Sequence, residues 1–219
     1  MKLKYYFDVM CPKSFTVFQL LKKYNLLRTN IEYRPIIRKK LLRRNGAVND
    51  CVSTFTNFSF TLDNMMNLVI PLEKHSELED FRLTCSLSPA HITYVDHSKY
   101  AGNSTLFLTA IARNHPHLIS DGINEVMTRF WIEQLNIETA PSFMTMSRNI
   151  GLEFRESDIL VSEMEKRPNV DKMNDYLEEA VNCKQADTPW LQLHCGEDNN
   201  ESHEVISSME SFLQRIPSL

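Results

Sequence analysis

Cys11-Pro12-Lys13-Ser14 is the stretch of this chain best equipped for chemistry. A cysteine followed by proline reads as a loop turning into a helix, because proline's fixed φ and missing N–H suit a first helical turn. At such a terminus the unpaired backbone N–H groups and the helix dipole favour an anion. A Cys11 thiolate would be favoured there, and so would a thiolate brought in by a ligand. Ser14, one turn on, offers a hydroxyl that is a stronger hydrogen-bond donor than a thiol. Two chemistries follow. Cys11 could act as a single nucleophile in thiol–disulfide exchange, its mixed disulfide being resolved by a second small thiol, since position 14 holds no cysteine. Alternatively, the Cys11 S–H or the Ser14 hydroxyl could orient a bound thiolate for attack on an electrophilic carbon. The bland alternative is an inert Cys11, because free cysteine is among the most often buried residues.

Other candidates are weaker. Thr188-Pro189 precedes a short alternating stretch, WLQLHC. An X-Pro bond is cis in only about 5–6% of cases, so the pair alone reads as a proline opening an edge strand. Trp131 and Trp190 read as core or as pocket walls, and Trp190, beside Pro189, could touch an apolar co-substrate. The basic run Arg38, Lys39, Lys40, Arg43 and Arg44 reads as a solvated helix face near the rim of the Cys11 site, given a net charge of −4 for the whole chain, and its charge could still attract the carboxylates of a ligand. His75, His91, His97, His115, His117, His194 and His203 show no ligand spacing backed by cysteines or acids, so no metal is expected.

The elements that must position Cys11 are legible. Leu3, Tyr5 and Phe7 alternate with Lys2, Lys4 and Tyr6, which predicts a strand. CPKSFTVFQLLKKYN then predicts a helix burying Phe15, Phe18 and Leu21, and NIEYRPII, residues 30–37, predicts a second strand. Strand, helix and strand in that order form a βαβ unit with parallel strands. RKKLLRR reads as a short basic helix and NGAVND as a turn. Helices are expected from near Ser104, Ser120, Thr139 and Ser157, opened by residues whose side-chain oxygens cap first turns, with another at 170–183. Gly151 stands where a helix C-terminal glycine belongs. WLQLHC reads as a strand, GEDNN as a turn, and SHEVISSMESFLQRI as a final amphipathic helix carrying Val205, Met209 and Phe212 on one face.

Composition narrows the class. The 219 residues suit one domain, or one domain with a large insertion, and 42% hydrophobic with 24% charged residues is ordinary for a globular protein. The slightly acidic balance argues against nucleic acid and membrane surfaces as partners. MKLKYYFDVM lacks the continuous apolar run of an export signal, and no long apolar stretch follows. The expectation is a soluble intracellular protein that starts at Met1. Cys11, Cys51, Cys85, Cys183 and Cys195 are odd in number and scattered, which favours free thiols over a disulfide framework. The sequons at Asn57, Asn103 and Asn200 then read as chance matches.

Two separated pieces, YYFDVMCPKSF and ADTPW, resemble the thioredoxin superfamily, in which a strand leads into an active-site Cys-Pro-x-Cys or Ser-containing loop and a distant cis-proline packs beside it. Within that superfamily the chain resembles the kappa-class glutathione transferases and their DsbA-type relatives. The likeness rests on Phe7-Asp8-Val9, Arg34-Pro35, LFLTAIARNHPHLI, TRFWIEQLNIETAPSF and SRNIGL. It implies an α/β, thioredoxin-like fold with an inserted all-helical domain of DsbA type. Residues 1–60 and 184–219 would be the two parts of the thioredoxin-like domain, and 61–183 the helical insertion. It implies glutathione as co-substrate with no other cofactor, a small electrophile or hydroperoxide as second substrate, a homodimer, and a location in cytoplasm, mitochondrion or peroxisome.

The resemblance also assigns roles. Cys11 and Ser14 would handle the glutathione sulfur. Thr188, turned by a cis Pro189, would pair its N–H and C=O with the extended peptide. Ser202 and His203 would match the family's Ser-Asp pair at the start of the last helix, which holds the γ-glutamyl end. Asn45, or Asn49, would stand for an asparagine that contacts glutathione. Kappa enzymes generally carry serine where Cys11 stands, His203 replaces an acid, and the last strand is expected to be shortened. Three functions are therefore open: a kappa-like glutathione transferase, a monothiol disulfide oxidoreductase using Cys11, and a binding member of the family without catalysis.

Overall fold

Alternation in the first strand is real, but both of its faces are covered. The computed structural model describes residues 2–28, 31–46, 59–61, 91–93, 101–133, 135–185, 187–195 and 202–215. In it β1 (Lys2–Phe7) is the second strand of a four-stranded sheet of order β2-β1-β5-β6, with β2 at Ile31–Pro35, β5 at Trp190–Cys195 and β6 at Ser202–Ile206. The predicted parallel pair is present, running from Leu3 opposite Ile31 to Phe7 opposite Pro35. β5 runs antiparallel to β1, and β6 antiparallel to β5. A separate pair joins β3 (Ser59–Thr61) and β4 (His91–Thr93).

Helix α1 (Pro12–Lys23) follows β1 with Pro12 in its first turn, and α2 (Arg38–Arg44) follows β2. Between the halves of the sheet lie α3 (Ala101–Asn114), α4 (Ile119–Trp131), α5 (Ala140–Asn149), α6 (Phe154–Glu163) and α7 (Arg167–Asn182). Helix α8 (Met209–Arg215) closes the described chain. Gly151 ends α5 at φ +98°, its N–H bonded to the Arg148 carbonyl and that of Leu152 to Ser147, which is the left-handed stop predicted for it. Helix α6 starts earlier than Ser157, at a reciprocal cap between Glu153 and Glu156.

Period two sorts the core into two layers. Leu3, Tyr5, Phe7, Leu191 and Leu193 face α1, Phe212 of α8 and the inner faces of α3 and α4. Tyr6 and Trp190, stacked at 4.5 Å, face the other way with Ile36, Leu41, Tyr176, Leu177 and Ala180. Trp190 is therefore core, fully buried on the α2–α7 side, and the expected contact with a co-substrate is corrected.

At the edge of that layer Glu179 accepts from Lys4 Nζ at 2.5 Å and Arg34 Nε at 2.9 Å. Burial would raise its carboxyl, but these two cations bring it down to about 2. A carboxyl held below its unfolded value stabilises the fold above pH about 4.5, and that stability is lost as pH falls toward 2. Denaturation midpoints measured from pH 6 to pH 2 should thus fall less steeply in Glu179→Gln than in the unmodified chain; parallel curves would contradict this.

The C-terminal reading needs correction. SHEVI is not helix but strand β6, paired from Cys195–Ser202 to Leu191–Ile206, so the last strand is not truncated. The helix begins only after Ser208, whose hydroxyl accepts the Ser211 N–H at 3.1 Å. No helix among the described residues is long and apolar enough to cross a membrane.

Candidate active site

Cys11 caps α1 with extended backbone (φ −92°, ψ 118°), because Pro12 forbids helical geometry before it and supplies no N–H to bond. The loop that delivers it is pinned from below. Asp8, buried at the end of β1, accepts the Met10 N–H at 2.8 Å and the Arg38 N–H at 2.7 Å. The Asp8 carbonyl accepts from the Cys11 N–H, and Trp131 Nε1 donates to the Val9 carbonyl at 2.9 Å from the helical layer. Burial pushes the Asp8 carboxyl up, while the N–H groups of Arg38 and Met10 oppose that.

From this loop the Cys11 thiol donates to the Thr188 carbonyl at 3.6 Å, and the Thr188–Pro189 bond is cis. The two sequence elements, 177 residues apart, meet in one place. Ser14 is fully buried one turn along, its hydroxyl oxygen accepting the Asp8 N–H at 3.3 Å and its carbonyl accepting from Tyr5 OH at 2.7 Å.

The electrostatics reverse the expectation of a thiolate. Burial pushes the Cys11 thiol up; Arg38 and the hydrogen bonds of Ser14 favour its anion, and Asp187 opposes it. Burial dominates because Cys11 is only 5% exposed, with its sulfur against the Thr188 carbonyl. Cys11 is a neutral thiol held as a donor.

No protein-family model and no curated protein matches this sequence. Solved structures do match. The chain is similar to 2-hydroxychromene-2-carboxylate isomerase at a TM-score of 0.65 and 14% identity, over 98% of this chain and 92% of that one. It is similar to the cytosolic disulfide reductase DsbM from Pseudomonas aeruginosa at 0.58 and 11% identity, over 99% and 92% of the two chains. The DsbM structure with GSH matches at 0.59 and 11% identity, over 99% and 93%. The fold is that of the DsbA-like thioredoxin proteins.

In this DsbA-like frame the predicted site residues separate into two groups. Cys11, Ser14, Thr188 and Pro189 come together. Asn45 caps α2 and donates from Nδ2 to the Gln185 carbonyl at 2.9 Å, on the connector that leads to Thr188. Ser202 and His203 do not join them. They lie in β6 opposite Cys195 and His194, at the far end of β5 from Pro189, about 16–20 Å along the strand at 3.3 Å per residue. Their assignment to a helix start is corrected: the last helix opens at Ser207-Ser208, at the Pro189 end of the sheet. Asn49, Cys51 and Cys85 lie outside the described residues.

Arg38, read from sequence as part of a solvated basic face, and Asp187, not singled out there, also join the site. Arg38 reaches from α2 to Asp187, donating from Nε to Oδ1 and from Nη2 to Oδ2 at 2.7 Å. Asp187 Oδ1 also accepts the Thr188 N–H at 2.8 Å. Behind the site, Glu138 precedes α5 and feels the charge of Asp8; burial pushes its carboxyl up to about 7 even though the Ser104 hydroxyl donates to it at 2.6 Å.

Proposed function

We propose that this chain is a glutathione-dependent enzyme of kappa type, conjugating glutathione to small electrophiles and, at the same site, reducing hydroperoxides to alcohol and water as two glutathione molecules are oxidised to their disulfide. The observation that carries this reading is the meeting of the Cys11 sulfur with the Thr188 carbonyl beside cis Pro189. A glutathione laid in extended form beside Thr188 would bring its own sulfur to Cys11. There the neutral Cys11 S–H donates to the ligand's thiolate, with Ser14 behind it. The thiolate attacks the electrophilic carbon, the C–S bond forms, and the leaving group departs with its electron pair while the thiol proton passes to water. Burial of Cys11 supports this division of labour, because a protonated thiol is a poor nucleophile and a usable donor. Asn45, at the mouth beside Gln185, would contact the ligand's backbone. Glutathione is the only co-substrate required, and the assembly is a homodimer.

A second reading, a monothiol disulfide oxidoreductase, is favoured by a specific observation: Cys11 is a free thiol with no cysteine one turn on, and the DsbM structure that matches carries GSH. The reading of a member without catalysis loses one of its motives, since β6 is not truncated.

Cys11→Ser separates them. Conjugation of glutathione to a chlorodinitrobenzene electrophile should persist or rise in the variant, because serine donates more strongly. Under the second reading, reduction of a glutathionylated peptide should be present in the unmodified chain and fall by about two orders of magnitude or more in the variant. A wild-type chain showing neither activity overturns both.

A further inference from the structure

Thr188 is expected to greet a peptide ligand, yet both of its backbone groups are occupied from within. Its carbonyl accepts from Cys11, and its N–H is taken by the carboxylate of its own neighbour, Asp187. The same carboxylate fills the fork of Arg38. Asp187 thus occupies one cationic donor and one peptide donor at once, as the end of a bound peptide would. Both donors reach the same oxygen, so they stand within roughly 5–6 Å of each other. That is the spacing between an amide carbonyl and the terminal carboxylate of the next residue in an extended chain, whose consecutive Cα atoms are about 3.8 Å apart.

The surroundings suit an exchange. Arg38 is anchored at its backbone by Asp8 and its side chain is largely covered, which keeps the root of that side chain beside the site when its partner leaves. The Asp187 side chain is 34% exposed and can turn to water, where an ionised carboxylate is at little cost. The Thr188 N–H has no such escape: the residue is buried, and a buried N–H left without an acceptor is unfavourable. Its Oγ1 is likewise buried and without a partner among the described residues. Asp187 therefore leaves at least cost when a ligand supplies an acceptor to Thr188 and a carboxylate to Arg38 together.

The geometry points to Asp187 as an internal stand-in for the C-terminal carboxylate of a peptide ligand, displaced when Arg38 takes that carboxylate and Thr188 takes the preceding carbonyl. On the reading above, the ligand is glutathione and the carboxylate is that of its glycine. Arg38 and Asp187 then set specificity: a free peptide C-terminus is accepted, and thiols lacking one leave the latch closed.

Calorimetric titration of the full chain with glutathione and with its glycyl ethyl ester tests this. Removing the competitor in Asp187→Ala should tighten glutathione about tenfold, a difference of one bidentate ion pair no longer displaced. Asp187→Asn, which keeps the side chain's shape and its folding role, should tighten it by a smaller factor. In both variants the ester should show little gain, because it brings no carboxylate to Arg38. Arg38→Gln should weaken glutathione toward the ester's affinity. If wild type binds glutathione and both Asp187 variants bind it equally or more weakly, Asp187 is a mere structural tie and the inference falls alone. Equal gains for ester and acid also overturn it. If no form binds glutathione, this inference and the proposed function fall together.

Discussion

Alkylation of Cys11 by iodoacetamide should accelerate about tenfold per pH unit from pH 7 to pH 9, with no plateau near neutrality. Only the thiolate reacts, and its fraction grows by that factor for as long as pH stays below the thiol's pKa. Burial holds that value above the ordinary cysteine range, against the pull of Arg38 and Ser14. The neighbours set the sign of two further shifts. Arg38→Gln removes the cation that favours the anion and should slow alkylation; Asp187→Asn removes an opposing carboxylate and should speed it. Peptide mapping by mass spectrometry reads Cys11 separately from Cys183, whose thiol burial also pushes up. A rate that levels off at or below pH 7 would mean that the helix terminus outweighs burial, and Cys11 would then be the nucleophile of the second reading.

Truncation of Trp190 to alanine should lower unfolding free energy by about 3–5 kcal/mol, the range for deleting a fully buried aromatic. The ring is 0% exposed, stacks on Tyr6, and fills the layer between the sheet and α2 with α7. Its strand also carries Thr188-Pro189 at its head, so the loss should loosen the site with the core. Val205→Ala on edge strand β6, 40% exposed, is the matched control and should cost less than about 0.5 kcal/mol. Urea denaturation of both variants decides: a Trp190→Ala cost near that of the control would show that Trp190 is not core and would reopen its role as a pocket wall.

What could be read without coordinates was local. Leu3, Tyr5 and Phe7 alternate because a strand has period two, Pro12 starts α1 because its φ is already helical, and Gly151 stops α5 because only glycine takes φ +98° without strain. Ser202–Ile206 is an edge strand with Ile206 buried and Glu204 and Val205 exposed, so its alternation is faint. Val205, Met209 and Phe212 meanwhile fall at helical spacing across the strand–helix junction. The faint strand signal lost to an accidental helical one, and Ser202 and His203 were carried to the wrong end of the sheet.

The Cys11 error has a different origin. A helix terminus is a local feature and predicts a lowered thiol; burial is tertiary and raises it. The Arg38–Asp187 pair spans 149 residues, and nothing within RKKLLRR or ADTPW points from one to the other, so no local signal announces it. The meeting of Cys11 with Thr188 was reachable only through family resemblance, since a cis proline has no signature in one sequence.

Crystals of the full chain soaked with reduced glutathione measure the central claim most directly. Glutathione should lie extended along Thr188, its sulfur within about 4 Å of Cys11 Sγ and its glycyl end toward Arg38. Glutathione seated on another face, or a cleft left empty at millimolar ligand while Cys11 still donates to Thr188, would contradict it.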